Sequence, residues 1–152
     1  MVIQPSNING SLKLVWNPNF GIQTEKRLQA AQRFIDSECI RLMVPYTPRR
    51  NGFLEESVKL GTVIGSGKLV YLSPYARYLY YGEVYGPNIP IIENGQLVGF
   101  FSPKEQPKHP TGKEMKYDQS RHPQAGKLWF ERMKADKKDE ILQGAQKAMR
   151  GK

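Results

Sequence analysis

Apolar residues in the first third of the chain recur at intervals of three and four. The residues in this stripe are Leu28, Ala31, Ile35, Cys39 and Leu42. Such spacing is typical of a helix that buries one face. We predict that the helix begins near Thr24, a candidate N-cap, and continues to Met43, because Pro45 then ends it.

Two patterns in the first half of the chain predict strands. Residues 11–16, SLKLVW, alternate polar and apolar positions, which indicates one short strand. Thr62–Ile64 and Leu69–Leu72 flank Gly65-Ser66-Gly67 and predict a tight hairpin. The same glycines could in principle hold a phosphate, but no lysine-threonine pair follows them as it does in a phosphate-binding loop.

A second hairpin is predicted where apolar residues lie on both sides of Asn94-Gly95. This dipeptide favours a type I′ turn between Ile89–Ile92 and Leu97–Phe101. The aliphatic and aromatic positions beside the turn indicate a projecting β-finger, and we call residues 89–101 the finger. Residues 102–124 are polar and rich in proline, and they predict a long functional or mobile loop.

The last element is predicted to be a helix that begins near Ala125. Leu128, Leu142 and Met149 lie at multiples of seven and form its predicted seam, while Gly144 weakens it locally. The order strand, helix, hairpin, hairpin, loop, helix predicts an α+β fold, with the long N-terminal helix and the C-terminal helix packed on a small antiparallel sheet. We predict one domain over residues 1–152, with 86–124 as an extended finger and loop insertion.

Composition narrows the class of protein. A chain of 152 residues with a mean hydropathy of -0.59 is expected to be soluble, and no stretch approaches the roughly 20 apolar residues that cross a bilayer. The segment MVIQPSNING lacks the basic and apolar regions of a signal peptide. Cys39 is the only cysteine, and its place in the helical stripe favours a small buried hydrophobe over a reactive thiol.

The net charge of +9 is concentrated toward the C-terminus, where residues 101–152 hold 13 Lys and Arg against 7 Asp and Glu. Such a balance fits contact with nucleic acid, contact with an acidic protein surface, or a solvated helix face. No motif for reading bases is present. The candidate DNA-facing residues are Arg49, Arg50, Lys104, Lys108 and Lys113.

Candidate chemistry is sparse. His109 and His122 each precede a proline in the polar loop and lack the spacing of a zinc-binding pair. We expect both to be solvent-exposed. The adjacent carboxylates Glu55-Glu56 and Asp139-Glu140 are expected to point apart, so neither pair makes an acid–base dyad. No nucleophile motif is evident, so the sequence predicts no catalytic, cofactor-binding or metal-binding residues.

Six of the eight tyrosines lie between Tyr71 and Tyr85. Tyrosine combines a large contact area with a polar tip, so the cluster indicates either a surface that docks on protein or packing against the first helix. Trp129 and Phe130 are adjacent on the last helix, and one of them is expected to face outward. The candidate interface residues are Tyr75, Tyr78, Tyr81, Tyr85, Ile91, Leu97, Phe100, Phe101 and Trp129.

Three blocks resemble the minor capsid (neck, or head–tail connector) proteins of tailed bacteriophages. They are VPYTPRRNGFLEESV, SPYARYLYYGEVYGP and GKEMKYDQSRHPQAGKLWFERMKADKKDEIL, in that order along the chain. The resemblance implies a cofactor-free α+β subunit that forms a homo-oligomeric ring in the virion neck. Its implied partners are portal, adaptor and tail proteins. The resemblance also implies contact with the DNA in the channel that does not depend on base sequence.

Two other classes of protein stay open on the sequence. A DNA-binding accessory protein of a mobile element would explain the basic composition. A hydrolase would require a catalytic group assembled from distant residues.

Overall fold

The computed structural model describes residues 17–151 and shows an α+β fold, as predicted. The predicted strand at residues 11–16 lies outside the described residues. The elements, in chain order, are α1 Phe20–Met43, a 3₁₀ turn Val44–Tyr46, α2 Phe53–Gly61, α3 Ala76–Tyr81, β1 Glu83–Gly86, β2 Ile89–Glu93, β3 Gln96–Phe101, β4 His109–Glu114 and α4 Trp129–Met149.

Helix α1 begins at Phe20, so the prediction of a start near Thr24 is wrong. Asn17 organises this start, since its side-chain Oδ1 accepts from the Asn19 amide at 2.9 Å and its carbonyl accepts from the Phe20 amide at 2.9 Å. The predicted end at Met43 is confirmed, with Pro45 inside the 3₁₀ turn that follows.

The predicted apolar stripe of α1 is confirmed over its second half. Ala31, Cys39 and Leu42 are buried, whereas Leu28 is exposed because it lies beyond the end of the core. Cys39 is a free, buried thiol whose pKa is raised by burial and by the nearby Asp36 and Glu38 carboxylates. Its predicted role as a small core residue is confirmed.

Helix α4 begins at Trp129, four residues after the predicted start. Leu128 precedes it in a left-handed conformation with φ of 51°, and the Leu128 amide donates to the Tyr80 carbonyl at 2.8 Å. The predicted seam is wrong, because Leu142 is 45% exposed. The buried residues of α4 are instead spaced four or eight residues apart. They are Trp129, Met133, Ile141 and Ala145.

Helices α1 and α4 pack against each other in opposite directions, and this contact builds most of the core. Arg27 near the start of α1 lies beside Met149 at the end of α4. Gly144 lies against Phe34, whose ring would overlap any Cβ at that position. The glycine therefore permits close helix contact, which offsets its weak helix propensity of about 1 kcal/mol relative to alanine.

The first predicted hairpin is absent, because residues 62–72 form a loop of turns without strands. Asp36 of α1 is buried, and its Oδ2 accepts from the amides of Gly65 at 2.7 Å and Gly67 at 3.1 Å. Thr62 Oγ1 also accepts from the Val70 amide at 3.0 Å. These side-chain bonds take the place of a strand ladder, so the glycines bind the protein's own carboxylate.

The second predicted hairpin is confirmed. Strands β2 and β3 pair antiparallel, and Asn94 and Gly95 have φ values of 51° and 78°, as a type I′ turn requires. The polar loop is shorter than predicted, because His109–Glu114 forms β4 and pairs with β1. The described strands thus make two separate two-stranded sheets that add no residue to the buried core cluster.

Candidate assembly surface

Two tyrosines of the cluster pack around Trp129. The rings of Tyr71 and Tyr80 meet the indole edge to face, with centroids 5.7 Å and 4.8 Å away, and the indole Nε1–H donates to the Tyr71 hydroxyl at 2.9 Å. Trp129 is only 1% exposed, so its predicted place at an interface is wrong. Phe130, beside it, is half-buried.

Of the other predicted tyrosines, Tyr75, Tyr78 and Tyr81 are exposed and Tyr85 is half-buried. Tyr75 and Tyr81 are 67% and 58% exposed, and the rings of Tyr78 and Tyr85 meet edge to face at 4.8 Å. Helix α3 explains this arrangement, because only Ala76 of its six residues is buried. The short helix therefore holds its exposed tyrosines in place without burying them.

The finger extends the exposed surface. Every residue from Ile89 to Phe101 is exposed except Gly99, which is half-buried. The predicted contact residues Ile91, Leu97, Phe100 and Phe101 are all among the exposed ones. Large exposed apolar patches mark sites of protein interaction, so the finger is a candidate contact surface.

A groove of about 770 Å³ lies between the loop before α2, helix α3 and the segment after β4. We call it the aromatic groove. Its principal lining residues are Arg49, Arg50, Phe53, Tyr75, Tyr78 and Lys116. No local sequence pattern predicts Phe53 and Lys116 as part of this surface, since three distant segments supply the walls of the groove.

The five predicted DNA-facing cations are exposed but do not all line one site. Arg49 and Arg50 line the aromatic groove, and Arg49 Nε lies 3.6 Å from Glu55 Oε1. Of the three predicted lysines, Lys104 and Lys108 lie between β3 and β4, and Lys113 lies on β4. The Lys108 ammonium donates to Asn88 Oδ1 at 3.1 Å.

His122 is not a solvent-exposed histidine, contrary to the prediction. Its side chain is 11% exposed, and Nδ1 lies 2.8 Å from the Thr47 carbonyl and 3.8 Å from Glu55 Oε1. These contacts hold the loop before α4 against α2. His109 is exposed, as predicted. Among residues 17–151 no cluster of His, Cys, Asp or Glu could hold a metal ion.

Burial raises the pKa of Tyr71 to about 12, against the smaller lowering effect of the hydrogen bond from Trp129. The usual value is 10.0, so folding favours the neutral phenol. The contribution of Tyr71 to the free energy of unfolding is therefore fully present below pH 10 and is lost as the pH rises from 10 to 12. The expected loss is on the order of 2 to 3 kcal/mol.

A Tyr71→Phe variant should therefore lose much less stability than the wild type between pH 10 and pH 12. At pH 7 it should be less stable by about 1 kcal/mol, because the Trp129 Nε1–H loses its acceptor. Urea unfolding across this pH range measures both effects. Tyr75→Phe, at an exposed site, is the matched control, and equal alkaline losses in the two variants would contradict the expectation.

The described residues form an α+β subunit whose surface exposes aromatic and aliphatic side chains. The sequence model of a minor capsid protein family matches residues 21–149. The chain belongs to this family and is a structural component of a phage virion. No curated protein and no solved structure matches the chain. Within residues 17–151, no helix is both long and apolar enough to cross a membrane.

Proposed function

We propose that the protein forms a ring in the head–tail neck of the virion and joins the portal and adaptor complex to the tail. The observation that carries this proposal is the finger, an apolar hairpin that the subunit leaves uncovered. Family membership places the chain in the virion, and the resemblance of its three sequence blocks to neck proteins supports the finer position.

The exposed tyrosines supply the second part of the contact surface. Buried interface tyrosines commonly act as anchors, and truncating such an anchor costs on the order of 2 kcal/mol or more. In a closed ring the same contact recurs between every pair of neighbours. A moderate loss at Tyr81 would therefore be repeated around the ring and would prevent its closure.

In this proposal the protein acts by contact alone, without catalysis or a cofactor. Two ionisable side chains in the interior support this view, because each of them holds a loop in place. Asp36 binds the loop after α2, and His122 holds the loop before α4. We further propose that Lys104 and Lys113, which are exposed, make contacts with DNA phosphates that do not depend on base sequence.

The test is a subunit in which residues 89–101 are replaced by a short Gly-Ser link, together with a Tyr81→Ala variant. We expect the fold and thermal stability to survive in both, because these residues lie outside the core. Heads and tails should fail to join in phage that carry either variant. Tyr81→Phe is the matched control, since it retains the ring and should support joining.

Microscopy of intact particles supplies the independent check. It should locate several copies of the subunit in a ring at the neck. One copy per virion, or none at the neck, would refute the proposal. A collapse of thermal stability on deletion of the finger would show that the finger belongs to the core and not to an interface.

A further inference from the structure

We infer that the tip of the finger of one subunit docks in the aromatic groove of the next copy in the ring. The inference rests on the proposed function and names the two surfaces that meet. Both surfaces are exposed in the single subunit. None of the residues that line the groove comes from the finger of the same chain, so a second copy can occupy it.

The groove combines aromatic walls with three cations, Arg49, Arg50 and Lys116, and one carboxylate, Asp118. Phe53 and Tyr75 are more than half exposed and offer apolar surface to a partner. Arg50 and Lys116 are exposed and have no ion-pair partner among residues 17–151. Because these cations outnumber the Asp118 carboxylate, the groove favours an occupant that is apolar and carries a carboxylate.

The finger has this composition. Glu93 is the only charged residue between Ile89 and Phe101, and it lies at the end of β2, directly before the Asn94-Gly95 turn. It is exposed and has no ion-pair partner among residues 17–151. Ile92 and Leu97 flank the same turn and are exposed. The tip therefore presents an aliphatic pair on one face of the hairpin and one carboxylate on the other, next to the same turn.

The size of the groove limits what enters it. A volume of about 770 Å³ is within the range of roughly 300–1,000 Å³ for sites that hold one small ligand. It accepts the few side chains around a turn, not the whole hairpin. The remaining length of the finger thus spans the distance between neighbouring subunits.

The base of the finger is fixed relative to the groove of its own subunit. Asn88 Nδ2 donates to the Tyr85 carbonyl at 2.7 Å, and the Tyr85 ring packs on Tyr78 in the groove wall. The finger tip and the groove are different patches of one subunit. Such a heterologous contact repeats head to tail and closes into a ring when the rotation permits.

The decisive experiment uses disulfide cross-linking in phage particles that carry two tagged forms of the subunit. One form has Glu93→Cys and the other has Phe53→Cys. Cys39 is the only native cysteine and is buried, so a disulfide between the two tagged forms reports contact between copies. Leu142→Cys, at an exposed site on α4, replaces Phe53→Cys in the control mixture.

We expect the Glu93→Cys and Phe53→Cys forms to cross-link and the control mixture not to do so. We also expect Glu93→Arg or Arg50→Glu alone to reduce the yield of joined particles at least about tenfold, because like charges then face each other. The two substitutions together should restore the yield.

The outcomes separate this inference from the proposed function. If the subunit forms a ring at the neck but the mixture does not cross-link, the inference is wrong and the neck role stands. Cross-linking of Glu93→Cys to a different virion protein would also overturn it, in favour of that partner. If the wild-type subunit is absent from the neck, the proposed function itself fails.

Discussion

Replacing Trp129 with alanine is expected to lower the free energy of unfolding by about 3 to 5 kcal/mol, the usual cost of removing a large buried aromatic side chain. The indole is 1% exposed and packs edge to face on two tyrosine rings. Its removal leaves a cavity among Tyr71, Tyr80 and Met133, and the rigid helix contact between α1 and α4 limits how far that cavity can close. Urea unfolding at pH 7 measures the change.

Two further variants show whether the effect comes from burial at this position. Trp129→Phe keeps an aromatic ring but removes the donor to Tyr71, so its loss should be smaller than that of the alanine variant. Leu142→Ala removes an exposed side chain from the same helix and should cost less than about 1 kcal/mol. A loss at Trp129→Ala no larger than at Leu142→Ala would contradict the assignment of Trp129 to the core.

Replacing Asp36 with alanine is expected to destabilise the protein by about 3 kcal/mol, since two loop amides lose a buried, charged acceptor. The affected donors are the amides of Gly65 and Gly67. The loop that follows α2 should lose its order first, because the carboxylate fixes both glycines. Urea unfolding gives the total loss, and amide hydrogen exchange at the two glycines shows where it occurs.

Asp139→Ala is the matched control for this prediction. Asp139 is an exposed carboxylate on α4, and its removal should change stability by less than about 0.5 kcal/mol. Added formate should partly restore the Asp36→Ala variant, because an anion that binds only the folded state stabilises that state. Unchanged exchange at Gly65 and Gly67 in that variant would show that the carboxylate does not hold the loop.

The two hairpin predictions show which parts of the fold can be inferred from the sequence. Asn94-Gly95 specifies its turn by local backbone preference, so the finger was predicted correctly. The apolar residues around Gly65 and Gly67 gave a similar signal, but Asp36 lies 29 residues away from the first glycine and supplies stronger bonds than a strand ladder. A local pattern cannot reveal an acceptor on another element.

The same limit explains the errors in α4 and among the aromatic residues. Leu142 has the spacing of a seam, yet the face that is buried is the one that meets α1. Trp129 has the composition of an interface residue, yet Tyr71 and Tyr80 enclose it. In both cases a neighbouring element determines whether the side chain is buried, and the position of that element depends on the packing of the whole core.

The candidate surface was predictable where it is continuous in sequence. The exposed finger residues and Tyr75, Tyr78, Tyr81 and Tyr85 come from adjacent segments that contain too few partners to be covered. The aromatic groove was not predictable, because Phe53 and Lys116 are brought together with Tyr75 only by folding.

The separation of the finger from the core divides the chain into positions that determine folding and positions that determine recognition. Substitutions between Ile89 and Phe101 leave every residue of the buried cluster unchanged. An isolated two-stranded hairpin has little stability of its own, so its sequence and length add little to the stability of the subunit. During evolution the finger can therefore change in sequence, which alters the fit between neighbouring subunits, or in length, while the core residues stay the same.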